Sequence, residues 1–218
     1  MTIEVDNVTV THNGIASVSG VSLTITAPSV TLVTGATGSG KSTLLRLLWA
    51  DIIPTMGTVT INGTSTRKMR SAGLQAHRKA IGIVHQFSYL NSVLTAFQNV
   101  LMPCATHNND AAKATATALE LLALLGVSHC RTKLPGQLSG GERQLVAIAR
   151  ALITNPTLFI ADEPLSMLDS HSAQRVLDVL NQRISAGMGM VVSSHNDALT
   201  GAFPNATMVR LEEGRVIA

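Results

Sequence analysis

Gly35-Ala36-Thr37-Gly38-Ser39-Gly40-Lys41-Ser42-Thr43 fits the spacing G-x-x-x-x-G-K-[ST]. That spacing can hold a nucleotide triphosphate. Gly35, Gly38 and Gly40 accept backbone angles that a Cβ resists. Successive N–H groups can then turn inward as a concave anion nest. A helix opening at Lys41 adds the positive end of its dipole. Lys41 can reach the β- and γ-phosphates, and the Ser42 hydroxyl can ligate Mg²⁺. A second cluster, Asp162-Glu163, ends the apolar run Thr157-Leu-Phe-Ile-Ala. A carboxylate at the tip of a strand suits Mg²⁺ beside a phosphate loop. A neighbouring Glu163 is placed to orient or deprotonate a water aimed at the γ-phosphate. A third stretch, Leu138-Ser139-Gly140-Gly141-Glu142-Arg143-Gln144, is another glycine turn at a helix start, fit for an anion.

These residues need a scaffold that brings them to one edge. Residues 30–34 read as a buried strand entering the loop and residues 43–49 as the helix leaving it. Residues 2–10 and 20–26 alternate apolar and polar, as half-buried strands do, and 57–63 form a short strand closed by Asn62-Gly63. Residues 80–85 read as a central strand. From 95 to 153 the pattern is helical: Asp110 caps a helix over 111–125 that Gly126 stops, and Ser139 caps one running to 154. Strand 157–161, helix 170–185, strand 190–194 and strand 207–211 follow. Strands alternating with helices predict a mainly parallel sheet. The run Arg67-Lys-Met-Arg70, with Arg78 and Lys79, reads as a solvated basic loop.

Bulk properties narrow the function. At 218 residues the chain suffices for one full core. It is 45% hydrophobic with a mean hydropathy of +0.29, yet no apolar run reaches bilayer-spanning length. The acidic, strand-like N-terminus gives no secretory signal, so a cytoplasmic location with peripheral membrane contact is expected. A net charge of +3 does not argue for nucleic acid. Cys104 and Cys130 are far apart without metal-ligand spacing and read as reduced, inert thiols.

Taken together, the glycine turn 138–144, the phosphate loop, Gln86 after a strand, Asp162-Glu163, Ser166-Met-Leu-Asp169 and His195 after a strand resemble, in that order, the motifs of ATP-binding cassette (ABC) ATPases. The resemblance covers nearly the whole chain. It implies one P-loop ATPase domain over 1–218, with an N-terminal antiparallel β subdomain and an α-helical subdomain inserted at about 90–155. It implies ATP and Mg²⁺ as cofactors: loop 35–43 and Lys41 on the phosphates, Ser42, Asp162 and Gln86 serving the metal, Glu163 as catalytic carboxylate, and His195 fixing the attacking water. Ser139, Gly140 and Gly141 would close over ATP held by a second copy, with Asp169 at the interface of that homodimer. The family stacks an aromatic on the base. No Phe, Tyr or Trp precedes Trp49, so His12 is the nearest candidate.

A single short cassette implies a detached ATPase subunit at the cytoplasmic face of the membrane, paired with a permease-like membrane subunit. Residues 49–57 and 99–103 resemble the cell-division ATPase FtsE, with lipoprotein-release and macrolide-export ATPases as alternatives. The segment Phe87 to Phe97 is the expected docking region. Soluble ABC ATPases of ribosomes or DNA repair form a further class. They carry paired cassettes or long coiled coils, and neither is evident here.

Overall fold

A computed structural model gives the fold and describes residues 1–106, 110–194 and 197–217. From the N-terminus run β1 (Thr2–His12), β2 (Ile15–Thr26), β3 (Val30–Thr34), α1 (Lys41–Leu48), β4 (Met56–Ile61), β5 (Thr64–Ser65), α2 (Ser71–Ala80) and β6 (Ile81–Val84). Then come α3 (Ala96–Leu101), α4 (Ala111–Leu124), α5 (Gly140–Leu152), β7 (Leu158–Asp162), α6 (Ser170–Ser185), β8 (Gly189–Ser193), α7 (Asp197–Ala202), β9 (Thr207–Glu212) and β10 (Arg215–Ile217).

The strands form two sheets. One is antiparallel, in the order β2-β1-β4-β5. The other runs β10-β9-β3-β8-β7-β6 and is parallel throughout except for the terminal hairpin β9–β10. The apolar runs of β3, β7 and β8 are buried on both faces, as central parallel strands require. Their two-residue period divides them between two cores. Leu32, Phe159, Ala161, Met190 and Val192 face a core shared with α3, α4, α5 and α6. Val33, Leu158, Ile160 and Val191 face a core closed by α1 and the antiparallel sheet. Burying one such large side chain stabilises the fold by roughly 1.5–3 kcal/mol. The central sheet is therefore the rigid member against which the site is set.

Local signals place the helices. Asp110 caps α4, its Oδ1 accepting from Ala112 N at 2.8 Å and Lys113 N at 3.4 Å. Thr95 caps α3 through a reciprocal box with Gln98. Buried Asn99 then knits the preceding loop: its Nδ2 donates to Asn91 O, Leu94 O and Thr95 O, each at 3.0 Å. The fold class expected from the sequence is observed: an antiparallel sheet at the N-terminus, a mainly parallel core sheet, and helices between β6 and β7.

The basic run is solvated as expected, with Arg67, Lys68, Arg70, Arg78 and Lys79 all exposed, but it is not all loop. Arg67 and Lys68 lie in a 3-10 turn, and Arg78 and Lys79 lie on α2. Arg67 Nη2 donates to Pro54 O at 2.5 Å, Arg78 Nη2 to Ala50 O at 2.8 Å and Lys79 Nζ to Thr106 O at 2.5 Å. These three cations tie down loop carbonyls while remaining in contact with solvent. Only Met69 and Leu74 carry the apolar period of this segment into the core, too sparse a signal to read as a helix. The hairpin β1–β2 is also longer than its alternation suggests, because register shifts interrupt the pattern between Val5 and Thr11.

Candidate functional site

Strand register assembles the site. Val33 pairs with Ser193 and Ser193 with Asp162 across three adjacent parallel strands. The loop after β3, the end of β8 and the Asp162-Glu163 pair therefore share one carboxyl edge, where ligands of open α/β sheets bind. Val84 pairs with Ala161, so the exposed Gln86 emerges beside them.

The phosphate loop needs its glycines for two reasons. Gly35 has φ +142°, and a Cβ there would lie 2.2 Å from Leu211 O. Gly40 has φ +101°, and a Cβ there would lie 2.3 Å from Ser17 O. Gly40 is also the N-cap of α1, and no side chain caps it among the described residues. The orphan N–H groups of the first turn are thus left for an anion. Ala36, Thr37 and Gly38 are exposed, as is Ser42, while Thr43 is half-buried. Lys41 is 9% exposed, and its Nζ donates to Gly35 O at 2.8 Å and Ala36 O at 3.0 Å. Ser39 is buried, and its Oγ has no partner among the described residues. An ammonium held by loop carbonyls and a hydroxyl in want of a partner among the described residues both suit an incoming phosphate.

Asp162 and Glu163 are buried, and between them stands Ser193, fully buried. Ser193 Oγ donates to Asp162 Oδ1 at 2.5 Å and accepts from Glu163 N at 3.1 Å. Glu163 N also donates to Ser193 O at 3.1 Å, and Ser166 Oγ donates to Glu163 O at 3.0 Å. Glu163 adopts φ +50°, a left-handed angle costing a residue with a Cβ about 1–3 kcal/mol. Its backbone is fixed from both sides, so the strain aims the carboxylate and is not relaxed. Sequence reasoning missed Ser193. The available signal was a hydroxyl at the end of an otherwise apolar strand.

Beside the loop lies an open groove of about 1040 Å³. Its lining includes Arg210, Glu212 and Arg215 of the β9–β10 hairpin, residues that sequence reasoning missed. Arg210 Nη2 pairs with Glu212 Oε1 at 2.7 Å. His12 is exposed at the end of β1, paired with Ile15, and is not among the residues lining this groove. His195 lies outside the described residues.

The second glycine turn is built differently. Ser139 Oγ accepts from Glu142 N at 3.1 Å, and Glu142 Oε2 accepts from Ser139 N at 2.6 Å, a complete capping box on α5. Glu142 Oε1 accepts from Cys130 Sγ at 2.8 Å and from His129 Nε2 at 3.0 Å. The Cys130 thiol and the N–H of Ser139 hold the Glu142 carboxyl down at about 2. Burial and that carboxylate push the thiol up to about 11. Ser139, Gly141 and Asp169 line a cavity of about 240 Å³. Gly140 sits beside it, where a Cβ would lie 3.4 Å from Met167 Sδ. Asp169 caps α6, its Oδ1 accepting from Ser172 N at 2.9 Å. Among the described residues this cavity shares no lining residue with the phosphate-loop groove. One chain thus holds the two halves apart.

Buried Gln144 joins two of these segments. Its Oε1 accepts from Ser88 Oγ, and its Nε2 donates to Pro164 O at 3.1 Å. Next to Gln86, the His85 ring packs edge-on against Trp49 at 5.1 Å and Tyr89 at 5.8 Å. Burial lowers the His85 pKa, helped by the charge of Arg150.

Comparison with known proteins agrees with this arrangement. Residues 18–166 match the family described as ABC transporter. The chain is 39% identical over 201 residues to the lipoprotein-releasing system ATP-binding protein LolD of Geobacter metallireducens, covering 91% of this chain and 88% of that one. It is 38% identical over 212 residues to the methionine import ATP-binding protein MetN of Caulobacter vibrioides, covering 96% of this chain and 63% of that one. A dimeric ATP-binding cassette solved in a post-hydrolysis state with ADP and Pi superposes with a TM-score of 0.91 at 30% identity, covering 99% of this chain and 97% of that one. The chain belongs to the ABC transporter family and is an ATP-binding, ATP-hydrolysing subunit of such a transporter.

Proposed function

We propose that this ATPase subunit drives a lipoprotein-release complex through a separate permease-like membrane protein. The single observation that carries the ATPase chemistry is the row Val33–Ser193–Asp162 across the sheet, which sets the phosphate loop beside two fixed carboxylates. The choice of cargo rests on the lipoprotein-releasing relative, which spans nearly the same length as this chain. The cell-division reading rests on residues 49–57 and 99–103 alone, and neither relative above supports it.

The chemistry follows from the residues. Lys41 Nζ leaves the carbonyls of Gly35 and Ala36 for the β- and γ-phosphates, while the N–H groups of residues 36–43 cradle them. Ser42, Asp162 and Gln86 offer only oxygen donors in reach of one edge, a set that fits Mg²⁺. Mg²⁺ held there would neutralise charge developing on the phosphates. Glu163 orients the attacking water and accepts its proton, and His195 steadies the same water. Ser193 is a positioning residue: it holds Asp162 and the Glu163 backbone in one geometry. The base lies toward the Arg210–Arg215 wall or His12.

Ser139, Gly140, Gly141 and Asp169 act on the nucleotide of a second copy, in a head-to-tail homodimer like the dimeric cassette above. We place the subunit at the cytoplasmic face of the membrane. No described helix is long and apolar enough to cross a bilayer. Exposed Phe87, Tyr89 and Val93 would meet the membrane subunit. The unit is one cassette over 1–218, with its helical part at about 90–155.

Glu163→Gln tests the reading. The protein should bind ATP, form a stable dimer and lose turnover by about 10²–10³-fold. Purified with ATP from solubilised membranes, it should retain a membrane subunit that carries acylated protein. A Glu163→Gln protein that stays monomeric with ATP would sink the sandwich. A membrane partner without lipoprotein would sink the choice of cargo.

A further inference from the structure

The turn that opens α5 carries a ligand set that ATP chemistry leaves unused. Cys130 Sγ, His129 Nε2 and a Glu142 carboxylate oxygen lie within 4.8 Å of one another. Cys130 and His129 sit on the 3-10 turn Ser128–Cys130, which presents both toward the first turn of α5. Their meeting point is a single atom, Glu142 Oε1, which accepts from both. The other oxygen, Oε2, is committed to the N–H of Ser139.

We propose that His129, Cys130 and Glu142 form a binding site for a thiophilic divalent cation of the zinc class. Thiolate, imidazole and carboxylate are the donors zinc takes, and three protein ligands leave a fourth position for water. Side-chain adjustment brings the geometry within reach. Nitrogen and oxygen around a tetrahedral zinc stand about 3.3 Å apart, and sulfur and oxygen about 3.6 Å. Here those separations are 3.0 and 2.8 Å. The nitrogen need withdraw by only a few tenths of an ångström and the sulfur by about 0.8 Å, which relieves the close sulfur–oxygen approach. The division of labour within Glu142 keeps the capping box intact, because the ion uses Oε1 and the cap uses Oε2. The His129 side chain is 62% exposed and supplies the way in. Ligation releases the thiol proton from Cys130 to solvent. Lys133 Nζ, 3.7 Å from Glu142 Oε1, must move aside, and its side chain is 39% exposed and can do so. The site stands whether or not this turn acts across a dimer.

Cobalt(II) is the probe, added to the purified full-length protein under reducing conditions. One equivalent should bind and give the sulfur-to-cobalt charge-transfer absorption of a single thiolate ligand, which zinc then bleaches. Cys104→Ser should leave the spectrum unchanged, and Lys133→Ala should strengthen binding. Cys130→Ser should remove the charge-transfer absorption. His129→Ala changes an exposed residue that the fold does not need, and it should weaken cobalt binding by about tenfold or more. No charge-transfer absorption in the wild-type protein overturns the site. So does a spectrum that survives unchanged in His129→Ala.

Discussion

Two glycine-rich turns open helices in this chain, and they treat their free N–H groups in opposite ways. At α1 the N-cap is Gly40, with no side-chain cap among the described residues, and Ser39 Oγ lacks a partner within the loop. At α5 the N-cap is Ser139, and Glu142 returns the bond and adds a negative charge to the first turn. The first turn is incomplete without an external anion. The second carries its anion as a side chain. An α-helix N-terminus is therefore not one kind of site: residue choice at the cap and at the third helical position decides whether the dipole is offered to a ligand or used within the fold. A single chain thus leaves one glycine turn open to an anion and closes the other with its own side chain.

Substitutions can break or sharpen this contrast. The largest effect belongs to Lys41→Ala, which should cut ATP turnover by about 10²–10³-fold, roughly 2.7–4 kcal/mol of lost charge stabilisation, as a steady-state phosphate-release assay would show. Next comes Gly40→Ala, which meets Ser17 O and a forbidden φ. It should cost about 3 kcal/mol in denaturant unfolding. Its counterpart Gly141→Ala meets Met167 O at 3.1 Å and Leu168 Cδ2 at an ordinary 3.6 Å, so its cost should stay near 1 kcal/mol. Equal losses at the two glycines would erase the distinction.

Ser139→Ala should destabilise by about 1 kcal/mol without affecting nucleotide binding to the isolated subunit, measured by titration with ATP. A last effect is one of pH. The Glu142 carboxyl is depressed from 4.5 to about 2 in the folded chain. Its contribution is therefore full above pH 4.5 and is lost as pH falls toward about 2. Glu142→Gln should flatten the fall in unfolding free energy across that window, and an unchanged acid limb would show that the carboxylate is not held as described.

Much of this arrangement was legible because it is local. The phosphate loop, the Asp110 and Ser139 caps and the apolar strands that turned out to be buried on both faces are each written within a few consecutive residues. What escaped detection depends on distant partners. Ser193 acquires meaning only when β8 lies beside β7. The β9–β10 wall matters only because Leu211 packs against Gly35. Cys130, read from spacing as inert, meets Glu142 through a turn that no local pattern announces. Arg78 and Lys79 were read as loop because the apolar period of α2 is sparse, and their bonds to carbonyls of other segments leave no local mark. Sequence patterning reports what a residue does for its own turn, and says little of what it does for a neighbouring strand.

Gln144 shows what such long-range bonds do to motion. It is buried on α5 and bonds to Ser88 on one side and to Pro164 on the other. The chain after Gln86 and the chain after Glu163 are therefore yoked through one amide. Neither segment can swing alone without leaving a buried donor or acceptor bare, at a cost of about 1–3 kcal/mol. A tug on the exposed aromatics near Gln86 is thus felt at Glu163, the residue proposed to aim the water, and the amides of both segments should exchange with deuterium as one cooperative unit, one that Gln144→Leu splits in two.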